Sequence, residues 1–292
     1  MSATDNQAAA EGHSILKGAL FVALGGIFVG LAPIGLRLSE MGPQATAFWR
    51  FAFALPLLYV FAKARNIPLG RPNWQSIVVG IAFGLDIALW HAALTKTSVA
   101  NATFLVNLGS VSAGLIAWLI FGQRPRAIWP IAACFAITGA AAMSFGSSAG
   151  GSGDIHGDIL ALTAAMSLAI YFVMLGPARR NMNAIAVLFW ATIAEACVST
   201  IASLTMGESI LPAEMSQLAA PLFLAVFAHV LGQGFIIFGG GMAPPSVTGV
   251  VIMMQPVVAG LVAWPLFKEH LSPMQLAGGA AILFGVWLAG KR

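Results

Sequence analysis

Residues 217–240 contain no Asp, Glu, Lys or Arg, and the same holds for 127–146 and 246–267. Apolar runs of this length constrain the fold more than any other feature of the chain. About 20 mostly apolar residues are enough for a helix to cross the hydrocarbon core of a bilayer. The runs are continuous and lack the alternation of a half-buried strand, so helices are favoured over a barrel. Inside lipid every backbone polar group must be satisfied within the segment. Composition agrees: 59% of the residues are hydrophobic and 8% charged, where a soluble domain carries about 25% charged residues.

Clusters of Pro, Gly and charge break the chain into ten apolar segments, at 16–36, 43–63, 74–95, 99–121, 127–146, 156–177, 184–206, 217–240, 246–267 and 273–290. Ten crossings put both termini on one side. On that side fall Lys17, Lys63, Arg65, Arg71, Arg124, Arg126, Arg179, Arg180, Lys291 and Arg292; on the other fall only Arg37, Lys96 and Lys268. Basic residues accumulate on the cytoplasmic side of membrane proteins, so both termini are expected in the cytoplasm, with the chain multi-pass in a bacterial cytoplasmic (inner) membrane. The net charge of +4 thus reflects orientation, and no nucleic-acid partner is expected. Residues 1–15 lack the basic region of a cleavable signal and read as a short disordered cytoplasmic tail. Cys134 and Cys197 lie in apolar runs and suggest packing, not a disulfide framework.

The chain also repeats itself. GLIAWLIF at 114–121 and GLVAWPLF at 260–267 share Gly, Leu, Ala, Trp and Phe, and Phe48-Trp49 is echoed by Phe189-Trp190. Segment 1 aligns with 6, 2 with 7, and so on, which gives a first five-helix repeat at 16–146, a Gly/Ser-rich linker at 147–155 and a second repeat at 156–292. Five is odd, so the second copy enters the membrane from the opposite side. Inverted repeats are an architecture of secondary transporters, with the solute site near the midplane between the halves. The expected fold is therefore an all-α membrane protein, ten transmembrane helices as two inverted five-helix repeats around a central cavity.

Segments 260–288 (GLVAWPLFKEHLSPMQLAGGAAILFGVWL) and, more weakly, 114–143 resemble the EamA type of the drug/metabolite transporter superfamily, and within it the YddG-type bacterial exporters of aromatic amino acids. The second repeat has Gln255-Pro256 and Glu269 where that pattern expects them, whereas the first has Gly109-Ser110 and Gln123. The resemblance implies that helices 1, 3, 4, 6, 8 and 9 surround the cavity, and that helices 5 and 10 are peripheral and can support a homodimer. It implies a small-molecule solute, amino acids first, exported by alternating access. A drug or other metabolite transporter of the same fold is the alternative reading, and an intramembrane enzyme or sensor a more distant one.

Charge within a span needs a partner or a function. Asp86 and Trp90, four apart on helix 3, suit an amino acid, the acid meeting the ammonium and the ring the side chain; His91 adjoins Trp90 but points elsewhere. His229 and Gln233 form a second polar stripe on helix 8, either a solute contact or a histidine bonded to a neighbouring carbonyl. Asn107 on helix 4 and Gln255 on helix 9 are read as cavity lining or as interhelical bonds, and Tyr171 on helix 6 as a cavity hydroxyl or an interface anchor. Arg50 and Glu195 break the symmetry of the repeats; structural ion pairs with separate partners are favoured, with Glu195 and His229 the candidates if a proton is carried. Pro33, Pro56, Pro256 and Pro265 are candidate hinges or static kinks. GSSAG at 146–150 fits the G-x-S-x-G pattern but has no strand before it. The reading is therefore of a protein that is not an enzyme, with no cofactor and no metal.

Overall fold

In a computed structural model, residues 3–97, 99–145, 154–268 and 271–290 are described. The ten expected segments are helical: α1 (His13–Arg37), α2 (Pro43–Ala64), α3 (Trp74–Leu94), α4 (Asn101–Phe121), α5 (Trp129–Phe145), α6 (Ile155–Arg179), α7 (Ala184–Thr205), α8 (Met215–Gly240), α9 (Pro245–Phe267) and α10 (Pro273–Gly290). All except the shorter α5 are long and apolar enough to cross a bilayer. Most of the linker at 147–155, Glu269, and the last two basic residues lie outside the described residues. Helical conformation begins at Ala3, so the segment expected as a disordered tail continues α1 backwards.

Local chemistry sets the ends. Asn73, Asp154 and Asn183 cap α3, α6 and α7, each accepting from a backbone N–H of the first turn. The His156 backbone and ring donors hold the Asp154 carboxyl below the usual range. Gly207 takes φ 70° at the end of α7, a left-handed conformation open to glycine. The turn carries Glu208 back over the start of α2.

Helices of one repeat pack on those of the other. α2 runs antiparallel on α7: Gln44 meets Met206 at one end, and Trp190 meets Leu69 at the other. α4 runs antiparallel on α9 through Gly114 and Ser246 and through Ser110 and Gly249. α5 does the same on α10, where Gly139 meets Gly278 and Gly285 meets Ala132. Each helix in these three pairs is the repeat counterpart of its partner, so counterparts run in opposite directions. The remaining main contacts come in exchanged pairs, α3 on α6 with α8 on α1, α4 on α6 with α9 on α1, and α3 on α7 with α8 on α2. Small residues permit these crossings: a Cβ on Gly80 would strike the Ala191 backbone, and one on Gly249 the Ser110 carbonyl.

Three helices are irregular. α1 breaks between Val29 and Ala32, and α9 between Ile252 and Gln255. The two breaks abut, since a Cβ on Gly30 would lie 2.8 Å from Val258 Cβ and 3.0 Å from the Gln255 carbonyl. Pro33 and Pro256 open the helical pieces that follow, as expected of residues that lack an N–H. In α8, residues Leu224–Gln233 form a π-helix, a rare conformation that often marks functional sites. Pro56 lies inside α2.

Candidate functional site

At mid-depth, where the repeats meet, α2, α3, α6, α7 and α8 bring polar side chains into one buried cluster. Tyr171, Glu195, His229 and Gln233 are each 2% exposed or less. The Tyr171 hydroxyl donates to Gln233 Oε1 at 2.5 Å. Both π-helix residues, His229 and Gln233, face this cluster, and the ring of Phe51 packs edge-on against His229 at 5.1 Å.

The hydrogen bonds fix the histidine tautomer. Thr192 Oγ1 donates to the Leu188 carbonyl, 2.7 Å, and lies 2.7 Å from His229 Nε2. With its one proton committed to the carbonyl, the hydroxyl oxygen accepts, and Nε2 is the donor. Glu195 Oε2 lies 3.4 Å from the same nitrogen. Both the carboxylate oxygen and His229 Nδ1 are buried without a hydrogen-bond partner.

Arg50 enters from α2. Among the described residues it bonds the Ala228 carbonyl alone, at 3.5 Å, and Nε has no partner. Its guanidinium stands 5.5 Å and 6.0 Å from the rings of Phe51 and Phe83. Arg50, Asp86 and Glu195 all lie within electrostatic reach of Tyr171. Arg50 and Glu195 thus have separate nearest partners, the Ala228 carbonyl and His229, but stand in one cluster to which helices 2 and 7 contribute.

On α3, Asp86 is buried with Oδ1 unpartnered, Trp90 is half-buried with Nε1 unpartnered, and His91 is buried with Nδ1 unpartnered. The Trp90 and His91 rings lie 5.2 Å apart, a spacing that the consecutive helical pairs Phe48–Trp49 and Tyr171–Phe172 share. Asn107 and Gln255 are not brought into the cluster. Asn107 donates to the Thr103 carbonyl of its own helix, 2.9 Å, and Gln255 opens the second part of α9.

The cluster is closed in this conformation. Two hollows, of about 400 Å³ and 290 Å³, lie at the helix ends, one lined by Tyr59, Lys63 and Leu69, the other by Glu40, Ser216 and Phe223. Buried polar groups left without partners are uncommon in native proteins and call for an explanation. Here they gather where two repeats meet.

The family model described as "EamA-like transporter family" matches residues 16–145 and again 155–290. The chain belongs to the EamA-like transporter family. The double match gives this EamA-like chain its two repeats. It is 25% identical over 285 residues to an uncharacterized transporter of Archaeoglobus fulgidus, covering 92% of this chain and 95% of that protein. It is 22% identical over 279 residues to the uncharacterized transporter YwfM of Bacillus subtilis, covering 91% of each. A solved crystal structure shares the EamA-like chain's fold with a TM-score of 0.79 at 19% identity, over 95% of this chain and 97% of that one. The chain is thus a multi-pass membrane transporter of the drug/metabolite type.

Sequence reasoning missed the π-helix, the place of Arg50 in the cluster, Thr192 against His229, and the buried Ser199 and Ser203 of α7. The spacing 195, 199, 203 on α7 was the available signal for the two serines.

Proposed function

We propose that this protein is a secondary transporter that exports small amphipathic metabolites, amino acids including aromatic ones foremost, by alternating access between its repeats. The observation that carries the reading is the set of unpartnered groups at the seam: one guanidinium, two carboxyls and two imidazoles among aromatic rings. A zwitterion fits that chemistry. Its carboxylate suits Arg50, which has only one long bond to a carbonyl. Its ammonium suits Asp86, and its side chain suits Trp90 with the His91 ring beside it. One cation faces two carboxyls, so one acid is left for the ammonium or for a proton; Glu195, against His229, is the proton carrier in this reading. The likeness of 260–288 to YddG-type exporters brings aromatic amino acids to the front.

The excess of Lys and Arg on the face that holds the termini supports cytoplasmic termini in the bacterial inner membrane. The resemblance adds a homodimer through α5 and α10. Cys134 on α5 is exposed, so oxidative crosslinking of a C197S variant in membranes tests that dimer.

The decisive experiment loads proteoliposomes with a labelled amino-acid panel and a cationic drug, and follows exit with and without an imposed proton gradient. Aromatic amino acids should leave fastest, and D86N and W90A should slow them without loss of folded protein. Movement of the drug alone would redirect the reading to drug transport. If no solute moved under either condition, the reading would fail.

A further inference from the structure

On α7, Glu195, Ser199 and Ser203 stand four residues apart on one face, and all three are 1% exposed or less. Among the described residues Ser199 Oγ, Ser203 Oγ and Glu195 Oε2 have no hydrogen-bond partner. This is not the habit of the helix. Thr192 and Thr200 both turn their hydroxyls back to the carbonyl four residues earlier, at 2.7 Å, the usual recourse for a hydroxyl within a helix. Ser199 and Ser203 have the same recourse and do not take it; both are buried on α7, which packs against α2 and α3.

The stripe has a direction. Eight residues rise about 12 Å along a helix, which is close to half the roughly 30 Å hydrocarbon core. It therefore leads from the mid-depth cluster to the face opposite the termini. There Gln44, fully buried with Oε1 unpartnered, sits between α3 and α7, donating to the Ala88 carbonyl and to Met206 Sδ. Towards the other face the same side of α7 reads Thr192, whose hydroxyl is taken by the Leu188 carbonyl and His229, and then Ala191, Leu188 and Ala184, all buried and apolar.

We propose that Ser203 and Ser199 form a one-sided proton path that connects the face opposite the termini to Glu195. Successive hydroxyls rise by about 6 Å, the span of two hydrogen bonds of about 2.8 Å through one water. Two ligands of one cation at about 2.3–2.6 Å stand no further apart than about 5 Å, so the spacing fits a file of water better than a single metal ion. In each hop a water or hydroxyl oxygen receives one proton and releases another, one O–H bond forming as one breaks. At the end the Glu195 carboxylate takes the proton and becomes a neutral acid. Solvent enters when α2 and α7 separate at the Gln44 end; tight packing of Gly84 against Glu195 and Val198 keeps the file closed otherwise, which couples proton entry to opening of that face. The charged and titratable groups around Glu195 are Arg50 from α2, Tyr171 from α6 and His229 from α8, with Asp86 of α3 near Tyr171 and His91 of α3 near Arg50.

This inference rests on the assignment of Glu195 as proton carrier, and its test needs no transported solute. The full-length protein in liposomes is followed by infrared spectroscopy as H2O is replaced by D2O, across a range of acidic to neutral buffers. The carboxylic-acid band missing from E195Q identifies Glu195. S199A/S203A removes two unpartnered hydroxyls, a change that leaves a buried site neutral or more stable. It should slow deuteration of that band by about tenfold, the effect of losing roughly one hydrogen bond from the path. T200A, which removes a back-bonded hydroxyl of the same helix, should exchange at the unmodified rate. Unmodified exchange in S199A/S203A would overturn the path, as would equal slowing in T200A or the absence of any Glu195 acid band. Solute exit measured on the same vesicles reports separately on the transporter reading.

Discussion

Trp49 and Trp190 hold the same place in the two repeats, and each donates its indole N–H across the seam to a loop of the other repeat. Trp49 Nε1 bonds the Ile210 carbonyl at 2.7 Å, and Trp190 Nε1 bonds the Leu69 carbonyl at 3.1 Å. The acceptors are themselves equivalents, since the same number of residues separates Leu69 from Ile210 as Trp49 from Trp190. One bond closes the face opposite the termini and the other closes the face that holds them. A pair of states that exchange the roles of the two repeats needs two such latches, one released in each state.

W49F should therefore favour opening of the face opposite the termini, and W190F the other. Loss of one buried hydrogen bond of about 1 kcal/mol shifts such an equilibrium about fivefold. Distances between spin labels placed across each face would show it; shifts in the same direction for both variants would refute the paired-latch account.

The latch opposite the termini has a second element. Glu208 Oε2 accepts from the backbone N–H groups of Gln44 and Ala45, both at 2.9 Å, at the start of α2 where a carboxylate is favoured by the helix dipole. At the equivalent place in the first repeat stands Ile67. E208A should open that face more than W49F does, by about tenfold for a cap of roughly 1–2 kcal/mol. The same spin-label pairs would measure the ratio.

Y171F removes the donor to Gln233 and leaves Gln233 Oε1 buried without a partner. The expected cost is about 1–3 kcal/mol, read as a lower melting temperature in detergent, together with reduced solute exit. Y171F that kept full stability and flux would show that the Tyr171–Gln233 bond supports neither.

G249A places a methyl against the Ser110 carbonyl at the α4–α9 crossing. Overpacking of this kind costs about 1–3 kcal/mol or more. The variant should melt lower than G176A, whose Cβ would meet nothing within 4 Å; equal melting would mean that the two helices can part freely.

The span count, the two repeats and the opposite run of their helices were legible because they follow from apolar length, an odd number of crossings and a few identical residues. Asp86, Trp90, His91, Tyr171, His229 and Gln233 were legible as polar groups that lipid would not tolerate. Their grouping was not. Asn107 looked equivalent to Tyr171 in the sequence, yet it satisfies itself on its own helix, whereas Tyr171 reaches across to α8.

The sequence alone thus determined that the chain lies in a membrane as two five-helix units, because solvation by lipid acts on each segment separately. Which polar residues share a site was decided only by the tertiary structure. That choice depends on helix rotation, on the π-helical stretch that turns His229 and Gln233 inward, and on glycine contacts that set how closely α3 and α7 approach. These are properties of pairs of helices, and no single segment encodes them.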